Sequence, residues 1–229
     1  MVYRSSDKLR MSRDKGVYTL NSRKWVYLFL TTLAIGMVTT VITGFLVDWE
    51  NYKELFAQGN IGEILVVGLW LIGVGAIFSL ISQMGFFAYL FIHRFGLGLF
   101  RSVSLWNGVQ VVVIAFALFD FVYLRYQIFA DGEGPLFPYV WPALLLAVLS
   151  LFVAGIKAYD TSSKQAFTPA LFLMVVVTMV EWFPALRENQ TDWLFLMVFP
   201  LFLCNAWQLL ILHRLVTPQK ANTKESPST

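Results

Sequence analysis

Two carboxylates stand inside otherwise apolar stretches of the sequence, Asp120 and Glu181, and they are the first residues from which chemistry is expected. Tyr123 and Gln127 follow Asp120 at i+3 and i+7, which places all three on one helical face. A carboxylate removed from water is costly and normally faces a bundle interior or a wet cavity. There it binds a proton or cation, or senses an outside signal. The plainer role is a structural hydrogen bond near the lipid headgroups, with Arg125 or Arg187 as partner. That role carries more weight, because both carboxylates fall a few residues inside the ends of apolar runs and not at their centres. Gln83, Asn107, Gln110, Asn205 and Gln208 form a second set of polar groups in apolar surroundings. Such side chains either line a solute path or hold helices together, at about 0.6–2 kcal/mol each, and adhesion is the favoured reading.

Other chemistries find little support. The two histidines, His93 and His213, lie far apart, and Cys204 is the single cysteine, so neither an intrachain disulfide nor a cysteine-based metal site is expected. No H-E-x-x-H helix, Walker lysine loop, G-x-S-x-G elbow or kinase signature occurs. We expect no catalytic residue, no cofactor and no metal. Nucleic-acid binding is not expected either, since the net charge of +3 is not arranged with base-reading side chains on a folded face.

The elements that position these residues follow from composition. The 229 residues are 58% hydrophobic and only 14% charged, against about 25% charged in a soluble domain. Six apolar runs, at 25–47, 62–92, 103–124, 137–156, 166–186 and 193–215, are each near or above the roughly 20 residues that cross a hydrocarbon core. Lipid offers no hydrogen bonds and period-2 polarity is absent, so the runs predict helices and not barrel strands. The fold expected is all-α: a six-span membrane bundle over 25–215, between a basic, largely disordered tail (1–24) and a polar tail (216–229). The first run is too long for a signal-peptide core and no small-residue cleavage site follows it, so it is expected to stay. The second run is too long for a perpendicular crossing and must tilt, bend or project, with Gly73, Gly75 and Gly85 as bending points. Thr168-Pro169 and Asp192 read as helix starts, and Pro200 as a kink in the last span.

Charge predicts orientation. Seven Lys and Arg precede the first span, two lie at 93–102, two at 157–165 and three at the C-terminal side (Arg214 at the end of the last span, Lys220 and Lys224 beyond it); the alternate side carries only Lys53, Arg125 and Arg187. Positive residues stay inside, so both termini are expected in the cytoplasm of a multi-pass cell-membrane protein. Trp182 and Trp193 are assigned to the outer interface, and Trp25 and Trp106 to the inner one.

Two surfaces suggest contacts beyond lipid. Ala143, Ala147, Ser150 and Ala154 form a small-residue face with 4-3-4 spacing that allows close helix approach. Its partner is either a neighbour in the bundle, the plainer case, or a helix of another protein. His93, Arg94 and Arg101 bracket a predicted cytoplasmic connection and read as helix-end anchors or as a docking patch.

The stretch Ile81-Ser82-Gln83-Met84-Gly85-Phe86-Phe87-Ala88-Tyr89-Leu90 and the following His93-Arg94-Phe95-Gly96-Leu97-Gly98 are distinctive. Together with Leu105-Trp106-Asn107-Gly108-Val109-Gln110 and Glu181-Trp182-Phe183-Pro184-Ala185-Leu186, they resemble the KinB-signalling-pathway-activation family, KbaA, over about 22–215. The resemblance implies a small multi-span regulator that promotes signalling by a membrane sensor histidine kinase in sporulation. It supplies no active-site residues to carry over. The expectation is therefore a non-enzymatic signalling protein acting through helix contacts. The alternative is a small-solute or ion transporter using Asp120 and Glu181.

Overall fold

A computed structural model describes residues 22–130, 133–188 and 190–215. The predicted tail at 216–229, and all but the last three residues of the one at 1–24, lie outside them. The described chain is helical throughout: α1 (Ser22–Val47), α2 (Trp49–Gln58), α3 (Ile61–Phe100), α4 (Val103–Ala130), α5 (Phe137–Asp160), a 3-10 turn (Lys164–Ala166), α6 (Phe167–Phe172), a π-helical turn (Leu173–Val177), α7 (Thr178–Glu188) and α8 (Thr191–Leu215). The 3-10 turn, α6, the π turn and α7 together make one span, Lys164–Arg187, so six segments are long and apolar enough to cross a membrane. The predicted six-span all-α fold is the observed one.

Lipid is as apolar as leucine, so burial alone does not hold such helices together; close packing and polar contacts do. The helix pair α1–α3 illustrates the first. A Cβ on Gly75 would lie 2.7 Å from the Met37 Cα and 2.8 Å from the Gly36 carbonyl oxygen, so the two backbones touch there. The hydroxyls in α1 cost little, because Thr32 and Thr40 donate to the Leu28 and Gly36 carbonyls one turn back. α8 packs against α1, α3 and α7, while the fifth span packs against α4 and α5. These last two spans form the interior of the bundle. The outward surface is apolar instead: Trp70 is 68% exposed and Phe116 63%, which suits a hydrocarbon solvent and not water.

Several local expectations are corrected. The connection at 48–61 contains α2, a ten-residue helix of mixed polarity with no long apolar run to announce it. Its Trp49 and Phe56 stack on each other and Phe56 meets Phe45 of α1, as an interfacial helix would. α3 does not stop at Ile92 but runs 40 residues to Phe100, roughly 60 Å at 1.5 Å per residue. It is one continuous helical element, and Gly75 and Gly85 are points where other elements approach it closely. The helical turns of the fifth span begin before Thr168, which is therefore not a cap, and Pro169 sits in the first turn of α6. α8 begins at Thr191, so Asp192 lies in its first turn and not before it. Pro200, the expected kink position, lies inside α8 and is fully buried.

Candidate functional site

Polar side chains from three spans meet in the bundle interior. Ser82 of α3, Thr178 and Glu181 of α7, and Asn205 and Gln208 of α8 are all buried. Their spacing explains the convergence: Thr178 and Glu181 lie at i and i+3 on one helix, and Asn205 and Gln208 do the same on another. The π turn at Leu173–Val177 sits directly ahead of Thr178. Such a turn holds an extra residue relative to the α-helix and resets the face that the following residues present.

The hydrogen bonds run in one direction. Gln208 Nε2 donates to Ser82 Oγ at 2.9 Å, and Ser82 Oγ donates to Asn205 Oδ1 at 2.9 Å. The Asn205 amide then donates to Glu181 Oε2 at 2.6 Å and to Thr178 Oγ1 at 3.0 Å. Glu181 Oε1 is buried and finds no protein donor among the described residues. Gly85 of α3 is packed directly against that oxygen, and a Cβ there would collide with it. Cys204 flanks the network and points its thiol at the Thr32 carbonyl, 3.6 Å away. A carboxyl held on one oxygen by an amide, deep in a bundle, can bind a proton or a small cation on the other.

The structure separates the two carboxylates that the sequence singled out. Glu181 belongs to the network and does not pair with Arg125 or Arg187 near the headgroups. Asp120 is half-buried and lines a different feature, an open groove of ≈ 580 Å³ between α4 and α7, where Arg125 and Arg187 also lie. Arg125 is itself buried, its guanidinium carbon 5.4 Å from the Phe121 ring and 5.7 Å from the Tyr139 ring. Trp182 is not an interface anchor: it is 3% exposed, stacks on Phe121 with ring centroids 5.6 Å apart, and donates its indole N–H to the Leu194 carbonyl. Trp106 is likewise buried, packed on Gly96, where a Cβ would come within 2.5 Å of the indole.

The residues proposed for contacts divide similarly. Ala143, Ser150 and Ala154 are buried and Ala147 is half-buried, on a helix that packs against the fifth span. His93 and Arg94 lie within α3, and the connection to α4 is only 101–102. His93 is turned inward, where its Nδ1 accepts the Trp106 indole N–H at 3.1 Å. Arg94 and Arg101 are exposed, and Arg101 closes α3 in a left-handed conformation with φ 52°.

Ser82 and Thr178 are the network members that sequence reasoning passed over. Their signal was weak, since serine and threonine are common in membrane helices where they bond to their own backbone. No group of three or more His, Cys, Asp or Glu able to hold a metal occurs among the described residues.

Comparison with known proteins accounts for nearly the whole bundle. No solved structure matches the chain. A protein of Bacillus subtilis (strain 168) named KinB-signaling pathway activation protein is 48% identical over 195 residues, which cover 85% of this chain and 98% of that protein. The family described as KinB-signalling pathway activation in sporulation matches residues 36–215, from the middle of α1 to the end of α8. Its reach takes in every residue of the buried network, and the chain belongs to this family, KbaA.

Proposed function

We propose that this chain is a non-enzymatic membrane regulator that promotes signalling by a sporulation sensor kinase of the KinB pathway, through contacts between membrane helices. The observation that carries this reading is the extent of the match to the Bacillus subtilis relative, 98% of whose length is shared. That relative has almost nothing outside the shared part with which to act, so its activating role resides in the six-span bundle. Three of the five connections between spans, at 101–102, 161–163 and 189–190, are only two or three residues long; the longer two are 48–60, which holds α2, and 131–136. What remains for a partner is the apolar outer face of the helices, together with the two ends of the bundle. With both termini inside, as the charge bias predicts, a kinase in the same membrane meets these faces directly.

Transport has less support. Asp120 lines the groove between α4 and α7, whose lining does not include Glu181, and Glu181 is bonded instead to Asn205 in the interior.

Outward glycines provide the test. Gly73, Gly108 and Gly155 are exposed, and a Cβ on any of them would meet nothing within 4 Å. Leucine at each position leaves the fold intact while blocking close approach of a foreign helix. Sporulation signalling and kinase co-purification from mild detergent are measured for each variant. Loss of both at one position marks the contacting face. Signalling retained at all three positions, with no kinase co-purified by the parent protein, defeats helix contact as the mechanism.

A further inference from the structure

The geometry points to a second site: a crevice at the end of the bundle where α5 finishes, fitted to the phosphoglycerol headgroup of an anionic phospholipid. The crevice has a volume of ≈ 370 Å³, within the size range of small-ligand pockets, and lies between α3, α4, α5, the fifth span and α8. It is separate from the Ser82–Asn205–Glu181 network, and nothing in this inference depends on the signalling role proposed above.

The charge is set by Lys157, which is 8% exposed and lines the crevice. Its ammonium donates to the Leu209 carbonyl at 2.6 Å and lies 3.2 Å from His213 Nδ1. An ammonium has three hydrogens, so one is left for a ligand. Asp160 is the neighbouring carboxylate, and it is engaged by Arg214 at 3.0 Å and faces His213 at 3.9 Å. None of the residues lining the crevice is acidic. A buried cation with no carboxylate beside it in the cavity wall calls for an anion.

Asn107 supplies the second requirement. It lines the same crevice, and its Oδ1 is buried with no donor among the described residues. That acceptor calls for a ligand hydroxyl. His93 adds a donor, because Nδ1 accepts from Trp106 and the neutral ring therefore carries its proton on Nε2. Phosphoglycerol combines an anionic oxygen with hydroxyl groups in one small unit. The rest of the wall, including Phe86 and Leu212, is apolar and suits the start of an acyl chain. Depth agrees as well: Lys157 is three residues from the end of α5, about 4.5 Å along the axis, which is headgroup level for a spanning helix. Free glycerol phosphate shares this chemistry and differs only in lacking the chains.

The test uses the full chain, purified in mild detergent and stripped of anionic lipid. Phosphatidylglycerol, phosphatidylcholine and sn-glycerol 3-phosphate are added separately, and retained ligand is counted by native mass spectrometry alongside thermal unfolding. One phosphatidylglycerol retained and a raised unfolding temperature are expected, with no such effect from phosphatidylcholine. Lys157→Gln should weaken retention tenfold or more, and the exposed Lys164→Gln should not. Asn107→Leu keeps the site testable should Lys157→Gln misfold, because Asn107 Oδ1 makes no internal bond to lose. Stabilisation by glycerol phosphate alone, lost in Lys157→Gln, upholds the phosphate site and assigns it to a soluble ligand. Equal retention of both lipids, or retention unchanged in Lys157→Gln and Asn107→Leu, overturns it.

Discussion

The Glu181 carboxylate and the Asn205 amide meet at 2.6 Å in the bundle interior, and that contact ties the fifth span to the sixth. Asn205 also accepts from Ser82 of α3, so the second span is held by the same side chain. One amide thus joins three helices. An asparagine can do this because its oxygen and nitrogen present acceptor and donors at once, where a carboxylate or an ammonium presents only one kind.

Removing Asn205 should therefore cost more than replacing the Glu181 carboxyl by an amide. Asn205→Ala leaves Ser82 without its acceptor and Glu181 without its donor. Hydrogen bonds between membrane helices contribute roughly 0.6–2 kcal/mol each, so a loss of about 1–3 kcal/mol is expected. Glu181→Gln keeps a carbonyl oxygen where Oε2 accepts, and its cost should stay below about 0.5 kcal/mol. Reversible unfolding in mixed micelles compares the two variants. Equal losses would show that the carboxyl organises the site as much as the amide does.

The α1–α3 contact makes a sharper prediction from two residues two positions apart. Gly75→Ala places a Cβ 2.7 Å from the Met37 Cα, a backbone atom that cannot swing aside. Separating two packed helices to relieve such a contact costs typically about 1–3 kcal/mol. Gly73→Ala meets nothing within 4 Å and should be neutral or slightly stabilising, since alanine is the better helix former. Thermal unfolding of both variants in the same detergent checks the contrast; similar midpoints would mean that the backbones do not touch there.

How much of this was legible in the sequence depends on what carried each signal. The six spans were legible because an apolar run of about 20 residues with scarcely a charge has no better solvent than lipid. The end of α3 was not. His93 and Arg94 look like a water-facing terminus, yet the helix continues because Gly96 lets Trp106 pack against it and Trp106 in turn holds His93. α2 escaped notice because ten residues of mixed polarity make no run. The adhesive role of Asn205 and Gln208 was legible from residue type, but not their partners. Pairing Glu181 with Asn205 requires the register of α7 against α8, and the π turn that sets the face of α7 leaves no mark in residue type.

Ala154 shows where the face predicted on α5 acts. It is 0% exposed and Ser150 beside it is also fully buried, while Ala147 retains some exposure. Leucine at 154 adds three carbon atoms to a contact with no space left, on a helix packed against the fifth span. Overpacking of this kind costs typically about 1–3 kcal/mol, so Ala154→Leu should lower the unfolding temperature in detergent with no partner present. Ala147→Leu should cost less, because its side chain has room to turn outward. A variant that fails to signal because it has lost bundle stability says nothing about a foreign helix. Only a stable Ala147→Leu that abolishes kinase co-purification would move this face from internal packing to partner contact; stable, active protein from both variants would remove it from either role.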